Sequence, residues 1–257
     1  MRWHVYVPFR QLNHKLPEIL KEGFSPEFYL DAFQLQDISS WNIARDILKG
    51  YDVKPSLHVT LVDLNPGSPD PEISAVTKKR FKQNFEFAHF IGIKDLVIHT
   101  AFDPFRYHFF MKEFKESTLS FWKDLEKDIN DFNIALENVF DRESLFLKDL
   151  IETLNVEIKG CNFGWCFDIG HANLFNKITH EEWIESLAKY LMEIHIHDNK
   201  GEYDDHLSLG EGNIAYYKII SLLREKIIND DIILNFELEK TEWAIDSRRK
   251  IKEYINE

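Results

Sequence analysis

No apolar run in the 257 residues approaches the roughly twenty that a membrane-spanning helix needs. The opening stretch, Met1-Arg2-Trp3-His4-Val5-Tyr6-Val7, has no long apolar core of a secretory signal, so a soluble, cytoplasmic protein without a membrane partner is expected. Cysteine is scarce. Cys161 and Cys166 are too few for a disulfide scaffold and have no zinc-ribbon spacing, so they read as core residues in a reducing compartment. No Pro/Gly/Ser-rich linker interrupts the chain, and one domain over 1–257 is expected. No Gly-x-Gly-x-x-Gly follows the first apolar run, which argues against a dinucleotide-binding sheet. Positive charge is in deficit: 31 Lys and Arg face 44 Asp and Glu, for a net charge of -13. Such a surface repels phosphate backbones. It does not exclude a small anion bound in a local, cation-filled cavity.

What the chain does have is alternation. Short apolar, β-branched or aromatic runs at 3–7, 28–30, 56–61, 96–99, 134–137, 164–168, 193–197 and 232–237 predict eight strands. Longer amphipathic runs at 72–90, 107–129, 144–154, 180–190, 216–228 and 243–254 predict helices, and Thr179 with Glu182 reads as a capping box. Strands alternating with helices build a parallel sheet with right-handed crossovers. Eight such units in this length predict a single-domain α/β fold, the closed (β/α)8 TIM barrel.

Polar residues gather where those strands end. His58 lies in the third run, and His99, Glu137 and Asp168 close the next three, with His171 just beyond. His195 and His197 lie in the seventh run and Glu237 ends the eighth. A parallel barrel puts all strand C-termini on one face, so these distant residues are expected to converge. Burying several carboxylates together is costly without cations, and imidazole with carboxylate suits zinc, manganese or iron. The loop after the seventh run adds an Asp-x-His pair, Asp204 and His206. His197 is expected on the strand face opposite His195, packing or hydrogen-bonding to a ligand. Asp198 and Asn199 are expected to orient the loop.

The stretches Asp204-Asp-His-Leu-Ser-Leu-Gly-Glu-Gly-Asn-Ile, Cys166-Phe-Asp-Ile-Gly-His171 and Ala135-Leu-Glu-Asn138 resemble the endonuclease IV family, within the xylose-isomerase-like superfamily of TIM barrels. The resemblance runs from about His58 to Glu237 and implies a nine-ligand set. His58, His99 and Glu137 would hold one ion; Glu137 would bridge to a second, held also by Asp168, His195 and Glu237; His171, Asp204 and His206 would hold a third. It implies two or three divalent ions, zinc foremost, with manganese or iron as alternatives. It also implies phosphodiester hydrolysis with inversion at phosphorus. Glu137, Glu237 and His171 are the expected catalytic residues.

The DNA-entering segment of that family is basic, whereas residues 28–41 here contain no Lys or Arg. DNA cleavage at abasic sites is therefore disfavoured, and a small phosphorylated molecule is the expected partner. The alternative is a metal-dependent sugar or sugar-phosphate isomerase/epimerase. The resemblance implies that such an enzyme needs one ion at Glu137, Asp168, His195 and Glu237, with the two glutamates as proton-exchanging bases and His171 on a substrate hydroxyl. Arg106 and Lys200 are candidates for a substrate phosphate. Trp41, Phe102, Phe105, Trp165 and Phe175 are candidate pocket walls.

Overall fold

The eight predicted strands are present, and they close on themselves. The computed structural model describes residues 1–175 and 177–255; the expected domain also takes in Asn176, Asn256 and Glu257, which lie outside them. Strands β1 (Arg2–Pro8), β2 (Ser25–Tyr29), β3 (Ser56–His58), β4 (Asp95–His99), β5 (Asn133–Glu137), β6 (Asn162–Asp168), β7 (Leu191–Ile196) and β8 (Ile233–Phe236) form one parallel barrel in chain order. The seam pairs Arg2 with Ile233 and Val5 with Phe236. Around it lie α1 (Leu12–Lys21), α2 (Ile38–Leu48), α3 (Pro71–Ile91), the single turn α4 (Pro104–Tyr107), α5 (Met111–Leu125) and α6 (Leu145–Glu157). The short α7 (Ile169–Phe175), then α8 (His180–Leu187), α9 (Tyr216–Asn229) and α10 (Thr241–Ile255) complete the ring. No described helix is long and apolar enough to cross a membrane.

Local chemistry sets the helix ends. Asp70 caps α3 by accepting from Glu72 and Ile73 backbone N–H groups, with Pro71 at the first helical position. Gly92, at φ 88°, ends α3 in the left-handed region that favours glycine. The capping box at Thr179 and Glu182 starts α8. The single helix expected at 107–129 is instead α4 and α5, separated by a turn. Helices α1 and α2 were not among the expected ones; Pro17 inside α1 and the polar face of α2 hide their period.

Between barrel and helices the packing is aromatic. Phe87 of α3 meets Phe9, Phe28 and Trp41 edge-on, with ring centroids 5.4, 5.8 and 5.3 Å away. This one ring ties α3 to the chain after β1, to β2 and to α2. Trp41 belongs to that layer, and Trp165 packs against Phe167 and Trp183; neither walls a ligand cavity as expected.

The barrel interior is unusually polar. The period of two turns His4, Glu27, Ser56, Glu193 and Asn235 inward, all buried. Interior apolar packing includes a small cluster of Val97, Ala135 and Cys166 with Met192, where branched aliphatic layers usually fill such barrels. The polar filling hydrogen-bonds to itself: Ser56 Oγ lies 2.8 Å from His4 Nδ1 and donates to Glu27 Oε2 at 3.2 Å, while Asn235 Nδ2 donates to Glu27 Oε1 at 2.5 Å.

Phe87→Ala should destabilise the fold by about 3–5 kcal/mol, the usual cost of emptying such a site. Urea unfolding monitored by circular dichroism reads it, and a loss below about 1 kcal/mol would show that the layer does not depend on this ring.

Candidate metal centre

The strand register brings the expected residues to one end of the barrel. His99 pairs with Glu137, and Asp168 pairs with His195. Glu137 lies at the middle. Its Oε2 is 3.1 Å from His58 Nε2 and 3.0 Å from His99 Nε2, and its Oε1 is 3.0 Å from His171 Nδ1. His195 Nδ1 faces three carboxylates: Glu237 Oε1 at 3.2 Å, Asp168 Oδ2 at 3.7 Å and Glu137 Oε2 at 3.8 Å. Asp204 Oδ2 lies 3.3 Å from His171 Nε2 and 3.0 Å from His206 Nε2. All nine residues thus meet, in three groups linked through Glu137 and His171.

A loop anchored by buried residues at its base supplies Asp204 and His206, which are themselves part-exposed. Asp198 and Leu207 exchange backbone hydrogen bonds of 2.8 Å. The buried Asp198 carboxylate accepts from the N–H groups of Asn199, Gly210 and Ile214, and Asn199 Nδ2 donates to Gly170 O at 3.0 Å. Two glycines allow the closeness: a Cβ at Gly212 would lie 2.2 Å from Asn199 O, and one at Gly170 2.0 Å from His197 Cε1. His206 itself sits at φ 49°, the left-handed region that non-glycine residues seldom adopt. Its Nδ1 lies 2.8 Å from Glu237 O, which orients the ring with Nε2 towards Asp204.

His197 departs from the expected strand face, though it does hydrogen-bond to a candidate ligand as expected. Residues two apart on a strand share a face, so it projects on the same side as His195. Its Nε2 lies 3.1 Å from both Asp168 oxygens, and its ring stacks on His206 with centroids 4.2 Å apart. Donor atoms of His197, Asp204 and His206 also lie close enough together to hold one ion.

The donor set suits divalent cations. His195 Nδ1 and His171 Nδ1 are buried beside carboxylates yet make no hydrogen bond. Clusters that could hold a metal include His58, His99 and Glu137, and His58, His195 and Glu237. With no cation bound, protons do the balancing. Burial opposes charge on Glu137, yet the surrounding imidazoles hold it well below the carboxylate range, and Asp168 behaves alike. Burial lowers the His171 and His195 pKa values, but the acidic groups around them outweigh it and raise both. His206 rises to about 9 against the same burial penalty, chiefly through Asp204. Cation uptake displaces these protons. Zinc affinity should therefore rise from about pH 6 to pH 8 with proton release, read by calorimetry in buffers of different ionisation enthalpy; affinity independent of pH would contradict this charge balance.

Two further carboxylates stand behind His195, and the sequence reading missed them. His195 Nε2 lies 3.5 Å from Glu27 Oε1 and 3.7 Å from Glu193 Oε1. Their inward positions on β2 and β7 were the available signal. Burial pushes the Glu193 carboxyl up to about 7 from 4.5. A raised carboxyl favours folding while protonated, and that contribution is lost as pH climbs through this window. Glu193→Gln should therefore make the metal-free protein about 1–3 kcal/mol more stable than the parent near pH 8, the gap closing towards about pH 4. Urea unfolding reads this; equal stability throughout would contradict it.

The cluster opens into a cavity of about 440 Å³ lined by seven of the nine residues. Asp168 and His195 lie beneath. Tyr6, Pro8, Gln11, Lys15, Leu61, Leu238 and Glu239 complete the wall. None of the expected aromatic walls takes part: Phe102 stacks on Phe146, Phe105 is exposed beside Arg142, and Phe175 packs on Phe140. Arg106 lines a separate hollow of about 300 Å³ near Phe110, and Lys200 is absent from the cavity wall. The basic residue that is present, Lys15, comes from α1.

Residues 28–254 match the family model described as xylose isomerase-like TIM barrel. An uncharacterized protein of Methanocaldococcus jannaschii is 28% identical over 211 residues, covering 80% of this chain and 71% of that protein. Among solved structures, a D-tagatose 3-epimerase-like protein superposes with a TM-score of 0.83 at 24% identity, over 100% of this chain and 97% of the other. Endonuclease IV from Thermus thermophilus superposes with a TM-score of 0.65 at 12% identity, over 100% and 99%. These structural likenesses concern the fold. The family match covers most of the chain, which belongs to the xylose isomerase-like TIM barrel family.

Proposed function

We propose that this chain is a multinuclear, zinc-type phosphoester or phosphodiester hydrolase acting on a small phosphorylated substrate. The meeting of Asp204 and His206 with His171, beside Glu137, carries this reading. A single ion held by Glu137, Asp168, His195 and Glu237 has no need of that extra group. The nitrogen and carboxylate donors of these nine residues suit zinc, manganese or iron. The cavity of about 440 Å³ is the size of a small-molecule site.

In this reading His58, His99 and Glu137 hold one ion. Glu137, Asp168, His195 and Glu237 hold a second, and His171, Asp204 and His206 a third. Divalent ions held at these places would supply Lewis-acid chemistry and activated water near neutral pH. The chain's own part is to fix the donors. Glu137 shares one carboxylate among three imidazoles. His206 is oriented by Glu237 O, and His197 steadies Asp168. The acidic surface and the absence of Lys and Arg from 28–41 favour a small substrate over DNA.

A second reading, sugar or sugar-phosphate epimerisation, draws support from Glu137 and Glu237, which both face His195 Nδ1. It would use them as the paired bases. His206→Ala separates the two. The zinc-loaded parent is expected to hydrolyse bis(p-nitrophenyl) phosphate, and the variant to lose about a hundredfold or more of that rate. Epimerisation of a ketose by both proteins, with no diester hydrolysis by either, would replace the first reading by the second.

A further inference from the structure

Lys15 is buried, 5% exposed, and is the one Lys or Arg among the described residues lining the metal cavity. Its Nζ donates to Leu238 O at 2.7 Å, beside Glu237. An ammonium has three donors, so two remain. Among the described residues no carboxylate forms an ion pair with it; Glu18, Glu237 and Glu239 act on it from farther away. Burial is costly enough to lower its pKa to about 8 despite those glutamates. A neutral amide would satisfy Leu238 O without that cost. A buried cation with spare donors, lining a cavity whose other charged or titratable walls are carboxylates, imidazoles and Tyr6, is matched by an anion entering that cavity.

We infer that Lys15 anchors an anionic oxygen group of the substrate, phosphate or carboxylate, at the cavity wall beside Leu238. This rests on the reading of the cavity as the substrate site. It adds that the substrate carries negative charge which the α1 wall recognises separately from the metal cluster. Gln11, one turn earlier on the same wall, lies beside that position as a neutral donor.

The test compares the zinc-loaded parent with Lys15→Gln, whose amide keeps a donor for Leu238 O. Metal content and thermal midpoint are measured first, and calorimetry then gives the affinities for inorganic phosphate, D-gluconate and neutral D-xylose. The expected result is unchanged zinc content, unchanged xylose binding, and anion binding weakened about tenfold or more. Loss confined to phosphate, or to gluconate, identifies which anion the site takes. Equal affinity of both proteins for both anions overturns the inference. A parent crystal soaked in phosphate gives the answer without a variant. An oxygen within hydrogen-bond distance of Lys15 Nζ is expected; phosphate on the metals alone, with Nζ bound only to Leu238 O, contradicts the inference. Failure of hydrolysis is separable: a parent that cleaves no diester but binds anions through Lys15 sinks only the hydrolase reading. Diester cleavage with the same kcat and KM in both proteins sinks only the anchor.

Discussion

Buried negative charge at one end of the barrel is the constraint on which the rest depends. Glu137 and Asp168 are almost wholly buried, and Glu237 nearly so, within reach of one another's histidine partners. Carboxylates so placed need positive charge close by. In the metal-free protein the protons on His171, His195 and His206 supply it. Divalent cations held there would do the same with more charge per site, and the donor groups lie close enough together to hold them.

Closure of the sheet makes that concentration possible. Because all eight strands run the same way, their last residues share one rim. Because alternate residues face inward, His99, Glu137, Asp168 and His195 arrive there as neighbours in register. The polar filling beneath extends the electrostatics downward: Glu27 and Glu193 face the far side of His195, and carboxylates there favour a proton on Nε2 and a free lone pair on Nδ1 towards the cluster. The loop after β7 is held by the buried Asp198 together with Leu209 and Ile214 in the core, and so places Asp204 and His206 over the same rim.

Much of this was legible in the chain. Strand order, the barrel and the convergence of His58, His99, Glu137, Asp168, His195 and Glu237 follow from periodicity and from what ends each run, while the full nine-residue set is what the resemblance to endonuclease IV implies. Where reading failed, tertiary context held the information. Helix α1 contains Pro17, so its period looked broken, and with it went Lys15, the basic residue that reaches the cavity. Nearness in sequence to strand ends points to Arg106 and Lys200 but does not say which loops lean over the mouth. His197 was misplaced by a miscounted period. Glu27 and Glu193 look like ordinary strand glutamates until the barrel closes around them.

The central claim is that these side chains form a multinuclear metal site. Anomalous diffraction at the zinc edge from crystals of the zinc-loaded protein, with metal content measured on the same sample, addresses it most directly. Two or three ions per chain are expected, beside Glu137 and including one between Asp204 and His206. One ion alone among Glu137, Asp168, His195 and Glu237, or none, would contradict the account.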